Sequence, residues 1–399
     1  MVYKTRFISR NFSLFFPSIQ IIFTEQNIKS MFLHTLSILD YKNIEQADFN
    51  FTAKLNCFLG DNGAGKTNLL DAIYYLSFTK SYFTAIDQQN VRHGNEMFML
   101  QGKYSRFEQD ELISVGFKQG AKKQFKRNQK AYKRFSEHIG LFPLVMISPS
   151  DQVLIQGGSD ERRKLMDGVI SQFDNQYLDA LLRYNRTLQQ RNNLLKHFAE
   201  QHRFDEDTLT VYDEQLLEFG TIIHQKRIKF VEELIPVFQF FYEFISGGKE
   251  LVKLTYDSSL SEGDYATQLL DNRLKDRASC YTNVGIHKDD LQLDLGDFPI
   301  RKLGSQGQNK TYLVALKFAQ FEYLKNASGI RPILLLDDIF DKLDANRVSK
   351  IIQLVSDDRF GQIFITDTNK DHLDSILKKM DIAHKIFTIE QGKAFDYET

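Results

Sequence analysis

Gly60-Asp61-Asn62-Gly63-Ala64-Gly65-Lys66-Thr67 reads G-x-x-x-x-G-K-T, the pattern of a loop that cradles nucleotide phosphates. Its surroundings have the required order. Residues 55–59 are a short apolar run, as a buried strand is. Residues 68–76 (NLLDAIYYL) are apolar at helical spacing, with Leu69, Leu70, Ile73 and Leu76 on one side. Strand, glycine-rich turn and helix bring the backbone N–H groups of residues 60–65 round the phosphates. The helix N-terminus adds about half a positive charge facing them. Lys66 is placed to reach the β- and γ-phosphates of ATP, and the Thr67 hydroxyl to sit on Mg²⁺. The expected nucleotide contacts are therefore Gly60, Asp61, Asn62, Gly63, Ala64, Gly65, Lys66 and Thr67.

A phosphate loop of this kind works with an acidic element. Residues 333–336 are an apolar strand that ends in Asp337-Asp338. A buried strand end holds a carboxylate near the metal, which fits Asp337. Asp338 is placed to orient or deprotonate the attacking water. Roughly 270 residues separate the loop from the acidic strand, more than a minimal nucleotide domain needs, so a domain is inserted between them. A third element is Ser305-Gln306-Gly307-Gln308, which opens a helix over 309–325. A serine hydroxyl, a glycine and a helix N-terminus make an anion site, and they equally make an ordinary helix cap.

Composition bounds the alternatives. The 399 residues are 42% hydrophobic and 26% charged, with a formal net charge of −1. That is ordinary for a soluble globular protein of two or three modest domains. No global charge draws the chain to nucleic acid, so such binding must come from local patches. The only cysteines, Cys57 and Cys280, lie far apart, which fits a reducing, cytoplasmic compartment and no cysteine-held metal. No run is long enough for a transmembrane helix, so no membrane partner is expected. Residues 1–30 have the outline of a signal peptide without a small-residue cleavage site. They are expected to be a weakly ordered extension or the product of a start codon placed too early.

The rest of the chain falls into three expected regions. Residues 31–158 form the first lobe of an ATPase head, with strands at 33–39, 47–51 and 55–59. Further strands at 97–104, 111–117 and 124–128 make an antiparallel layer. Between Lys118 and Arg134 stand eight Lys or Arg and no acid. This hairpin either faces nucleic acid or is a solvated edge guarded by lysines. Residues 159–275 hold a helical arm, helical over 160–196 and 207–244 and closed by Gly247-Gly248. Residues 276–399 return to the head, with the acidic strand and a last apolar strand at 362–366.

Several stretches resemble the RecF family, SMC-like ABC ATPases of bacterial recombinational repair. They are Tyr41-Lys42-Asn43, the loop with the helix after it, Arg162-Arg163-Lys164-Leu165-Met166-Asp167, and residues 184–196 (YNRTLQQRNNLLK). Residues 282–291 (TNVGIHKDDL) and the run from Ser305 to Lys310 complete the set, and Asp341 to Asp344 resembles a D-loop. Asp71 stands where Glu is commoner, Ile286 and Lys288 replace Pro and Arg, and Phe83 stands where a basic residue is expected. Asp367-Thr368 occupies the switch position, and Asp151-Gln152 is the candidate Q-loop.

The resemblance implies an α/β fold, an ABC-type ATPase head of mixed sheet plus antiparallel layer with an inserted helical arm. It implies nucleotide contact by Lys42, and contact by Ser305, Gly307 and Gln308 with the γ-phosphate held by a second subunit. It implies an ATP-dependent homodimer on single-stranded and gapped DNA, cooperation with RecR and RecO, recombinase loading and slow hydrolysis that resets the clamp. Two other classes compete: a nuclease-coupled or motor ATPase, and the ATPase subunit of a transporter. The chain has no recognisable metal-nuclease cluster or helicase motif set, and the inserted arm argues against the transporter.

Overall fold

The structure is a computed structural model, and it describes residues 28–396 other than 249, 342 and 381. The extension expected at 1–30 lies outside the described residues, apart from its last three. Along the chain run β1 (Met31–Tyr41), β2 (Ile44–Asn50), β3 (Leu55–Leu59) and α1 (Lys66–Phe78). Then follow β4 (Met97–Arg106), β5 (Gln109–Lys118), β6 (Gln124–Arg127), β7 (Lys130–Ala131) and β8 (Leu144–Ile147). Next come α2 (Ser159–Ile170), α3 (Asn175–Gln201), α4 (Glu206–Ser246), β9 (Val252–Asp257), β10 (Asp290–Leu295) and β11 (Phe298–Pro299). The chain closes with α5 (Gln306–Ser328), β12 (Ile333–Asp337), α6 (Ala345–Val355), β13 (Ile363–Asp367), α7 (Lys370–Met380), β14 (His384–Glu390) and β15 (Lys393–Asp396).

Two compact units divide this chain. Of the described residues, the first takes those up to 151, 244–247 and those from 310 on; the second takes 152–243 and 248–309. The helical unit therefore runs past the boundary expected at 275 and includes β9 to β11 and Ser305. Strand pairing is the reason: β10 bonds β9 from Asp290↔Asp257 to Leu295↔Val252, so it stays with the helices.

In the first unit two six-stranded sheets share one core. One is antiparallel, in the order β2-β1-β4-β5-β6-β7, and the other is mixed, in the order β15-β14-β3-β13-β12-β8. Helix α1 packs against strands of both sheets. Burial accordingly extends to Ala72 and Tyr75 as well as Leu69, Leu70, Ile73 and Leu76, where spacing alone indicated one side. Phe49, Phe51, Phe58, Phe364 and Phe387 pack edge-on and stacked beside it. The Gln362 side chain ties the sheets together. Its Oε1 accepts from Leu33 N at 2.7 Å, and its Nε2 donates to Leu33 O and Thr52 O at 2.8 Å.

His138 is fully buried in this core, its Nε2 2.7 Å from Leu76 O and its Nδ1 3.0 Å from Tyr132 Oη. The neutral tautomer satisfies both, donating to the carbonyl and accepting from the phenol. Burial pushes its pKa from 6.5 down to about 4. A lowered folded-state value means that His138 favours folding above pH 6.5 and that this share fades as pH falls towards 4. The difference is worth roughly 3 kcal/mol. The first unit is expected to lose about that much stability across this window. In His138→Gln, which does not titrate, the first unit's stability from hydrogen exchange should show a flatter pH dependence; an unchanged slope would mean that other groups set it.

The second unit shows why its motifs look as they do. Arg227, 1% exposed, donates to Asp289 Oδ2 at 2.7 Å, to Asp167 Oδ1 and Ile286 O at 2.8 Å, and to Tyr177 Oη at 3.1 Å. Arg191, fully buried, holds Asp213 and Asp276 at 2.7 Å and Thr282 Oγ1 at 2.9 Å. Arg162 clasps Asp290 with two bonds of 2.6 and 2.9 Å. Gly285, at φ +130, leaves room that a Cβ would take from Tyr184 Oη, 2.4 Å away. That hydroxyl bonds His287 Nδ1 at 2.8 Å, and His287 Nε2 lies 3.0 Å from Thr282 O. The stretch 282–291 is thus a lock whose Thr, Gly, His and two Asp each meet a residue of α2, α3 or α4.

Candidate nucleotide-binding site

The loop 60–67 leaves the carboxyl end of β3, where open α/β sheets place their ligands. Register fixes its neighbours. β13 pairs β3 up to Asp367↔Leu59, and β12 pairs β13 up to Asp337↔Thr366. Three strand ends therefore present the loop, Asp367 and Asp337 side by side. The loop is also covered from above. Gly392 N donates to Ala64 O at 2.9 Å, Asn43 Nδ2 donates to Gly63 O at 3.3 Å, and Asn68 Nδ2 to Asn43 Oδ1 at 2.8 Å. Gly65 sits at φ +115, and a Cβ there would lie 2.9 Å from Asn43 Oδ1, so only glycine fits.

Lys66 folds over the loop, its ammonium donating to Gly60 O at 2.6 Å and Asp61 O at 2.9 Å. Burial lowers its pKa; Asp338 is the strongest of the acidic neighbours that oppose this, ahead of Asp337. Thr67 Oγ1 lies 2.9 and 3.1 Å from the two carboxylate oxygens of Asp337. Loop and acidic strand, 270 residues apart in sequence, thus meet as their chemistry requires. Asp337 is buried, and burial pushes its carboxyl above the usual carboxylate range, against the hydroxyls of Thr67, Thr366 and Ser148 that hold it down. A hydroxyl and a desolvated carboxylate are hard oxygen donors, which fits Mg²⁺. Among the described residues no group of three or more His, Cys, Asp or Glu could hold a metal. Mg²⁺ suits such a site because it keeps waters and phosphate oxygens as its other ligands.

Asp338 adopts φ +48, a left-handed conformation that Asp tolerates better than most residues. Its N–H donates to Thr366 Oγ1 at 3.0 Å, and that hydroxyl donates to Asp337 Oδ1 at 2.9 Å. Thr366 therefore positions both acids. In sequence it is only the last residue but one of an apolar strand, and a hydroxyl in such a run was the available signal. Ser148 Oγ donates to Asp337 Oδ2 at 3.2 Å, and Asp151, the candidate Q-loop acid, accepts from Ser148 N at 2.8 Å. Asp151 is held in turn by Lys317 at 2.7 Å and by the Tyr82 hydroxyl. The strand β8 that delivers Ser148 was not apparent from sequence, because residues 144–147 are too short and uniformly apolar to declare themselves.

Lys42 does not touch the loop. Its ammonium pairs with buried Asp71 at 2.5 Å and lies 5.0 Å above the Phe83 ring, the aromatic found where a basic residue was expected. Asp71 also accepts from Tyr41 Oη at 2.6 Å, from Ser81 Oγ and from Tyr82 N at 2.7 Å. Ser305, Gly307 and Gln308 belong to the second unit. Ser305 is exposed and forms a capping box: Gln308 N donates to Ser305 Oγ at 3.2 Å, and Ser305 N to Gln308 Oε1 at 2.8 Å. Of the D-loop stretch, Asp344 caps α6 by accepting from Asn346 N and Arg347 N, and Lys342 is outside the described residues.

Residues 32–394 match the RecF/RecN/SMC N terminal domain family. The chain is 55% identical over 365 residues to the DNA replication and repair protein RecF of Phocaeicola vulgatus, covering 91% of this chain and 98% of that one. It is 52% identical over 359 residues to the protein of the same name from Flavobacterium johnsoniae, covering 90% and 100%. Among solved structures, the recombination mediator protein RecF-ATP in the RecFOR pathway superposes with a TM-score of 0.84 at 30% identity, covering 94% of this chain and all of that one. An Smc head domain from Pyrococcus furiosus superposes at 0.54 with 15% identity, covering 91% and 95%, a likeness of fold alone. Family match, relatives and shared head architecture agree that this chain belongs to the RecF family of SMC-like ATPases.

Proposed function

We propose that this protein is an ATP-switched, dimeric DNA-binding clamp of DNA replication and recombinational repair. The observation that carries the reading is the bond from Thr67 to both oxygens of Asp337, which joins the phosphate loop to the acidic strand. The relatives support it: they are named DNA replication and repair proteins, and one solved relative is a RecF-ATP structure. In this reading residues 60–67 bind the phosphates, Mg²⁺ would be held by Thr67 and Asp337, and Asp338 aligns the attacking water. Mg²⁺ would supply charge neutralisation of the phosphates. Lys66, now resting on two carbonyls, turns to the β- and γ-phosphates.

Ser305, Gly307 and Gln308 act on the nucleotide of a second copy, and Lys42 reaches the nucleotide by leaving Asp71. Single-stranded and gapped DNA, RecR, RecO and a cytoplasmic setting belong to this reading, and the kinship supports it. No helix among the described residues is long and apolar enough to cross a membrane. Hydrolysis would be slow and would reset the clamp, and recombinase loading and support of the SOS response are its expected outputs.

Lys66→Ala tests the loop. Removing a charged donor to the phosphates is expected to weaken ATP binding by roughly 10- to 150-fold. Titration with a fluorescent ATP analogue reads this directly. Wild-type affinity in the variant would sink the assignment of residues 60–67.

A further inference from the structure

We infer that the hairpin β6–β7 is a DNA-backbone contact, made by Lys122, Lys126, Lys130 and Lys133. This rests on the DNA-binding reading above and deepens it by naming a surface. The eight basic residues between Lys118 and Arg134 divide sharply in the structure. Four are spoken for. Lys123 donates to Thr79 O at 2.8 Å and Tyr75 Oη at 3.0 Å and pairs with Asp87 at 2.8 Å, so it staples the hairpin to the C-terminal end of α1. Arg127 is clasped to Glu111, Arg134 pairs with Glu137 at 3.2 Å, and Lys118 lies 4.0 Å from Glu96.

The other four make no side-chain hydrogen bond or ion pair among the described residues. Lys122, Lys130 and Lys133 are exposed and Lys126 is half-buried. Pairing sets their directions: Lys126 lies opposite Ala131 and Arg127 opposite Lys130, so Lys126 and Lys130 leave opposite faces of the ribbon. β6 and β7 are the last two strands of the six-stranded sheet, so these lysines stand at its edge, where a phosphate backbone can approach them.

Guarding an open sheet edge accounts for less of this. The edge strand β7 has two residues, Lys130–Ala131, and one lysine on it would block pairing. Four like charges with no acid among them repel one another, a cost that a counter-charged partner removes. A polyanion is that partner. Because Lys123 fixes the hairpin to the helix that begins at Lys66, the contact is rigidly joined to the phosphate loop.

The test uses the full chain, ATP and a fluorescent gapped duplex, with binding measured across a salt series. Each phosphate contact contributes about 0.9 to the slope of log K against log salt. K126Q/K130Q should lower that slope by about 1.8, and K122Q/K126Q/K130Q/K133Q by about 3.6, with at least tenfold weaker binding at about 0.1 M salt. K378Q/K393Q, which removes two exposed lysines elsewhere on the same unit, should leave it unchanged. K122Q/K133Q alters no strand residue and gives the same reading should the strand variants fail to fold. Equal losses in K126Q/K130Q and K378Q/K393Q would reduce the effect to net charge and overturn the inference. So would a wild-type slope in the hairpin variants, while the function proposed above would stand. Absence of DNA binding by the wild type would overturn both.

Discussion

Asp338→Asn is expected to bind ATP as the wild type does and to hydrolyse it about 10²–10⁴ times more slowly. Three features make the substitution clean. Asn tolerates the left-handed backbone that Asp338 adopts at φ +48. The bond from its N–H to Thr366 Oγ1 is a main-chain bond and survives. Asp337, which meets Thr67, is untouched. What is lost is a carboxylate able to take a proton from water. Removing that negative charge beside Lys66 does not weaken attraction for a polyphosphate. If hydrolysis resets a clamp, the variant should stay paired with ATP long after the wild type has separated. Single-turnover hydrolysis and nucleotide titration on one preparation distinguish the outcomes. Turnover at the wild-type rate would remove Asp338 from the water-activating role.

Arg227→Met is expected to destabilise the second unit by about 3–5 kcal/mol, the usual effect of removing one partner from a buried ion pair. The arginine is 1% exposed and stands between Asp167 and Asp289, with the Tyr256 hydroxyl also on Asp289. Met matches much of the volume but leaves two carboxylates facing each other without their counter-charge. Hydrogen exchange resolves the units separately, which a single melt of a two-unit chain does not. Protection in α3 and α4 should fall while that in α1 and β3 holds. A loss below about 1 kcal/mol would show that the lock is not what holds the helices.

What could be read from sequence divides along a physical line. The phosphate loop and the acidic strand end carry their signal in adjacent residues, so Lys66, Thr67, Asp337 and Asp338 stand out as candidates without knowing what they touch. Thr366, Ser148 and Lys317 were not, because each matters only through the register that brings its strand or helix beside Asp337 or Asp151. The stretch 282–291 stood out as a family marker, yet its role as a lock needed Arg162, Arg191 and Arg227 placed against it. Edge strands were the hardest: β14 and β15, which cover the loop, are short and mixed in character, and pairing with β3 is what makes β14 a strand. The basic run at 118–134 was visible at once, but only the structure separates its structural half from its unpaired half.

The account rests on ATP favouring a paired state, and the mass of the full chain in solution tests that most directly. ATP shifts an equilibrium only if it contacts the two states differently, and in the proposed function Ser305 would supply that difference by reaching the partner's nucleotide. Sedimentation of Asp338→Asn, in which ATP persists, should give one chain without nucleotide and two with it. The added change Ser305→Arg, exposed and remote in sequence from the loop, should keep ATP affinity and abolish the doubling. A mass that does not respond to saturating ATP, or that doubles as readily with Ser305→Arg in place, would contradict it.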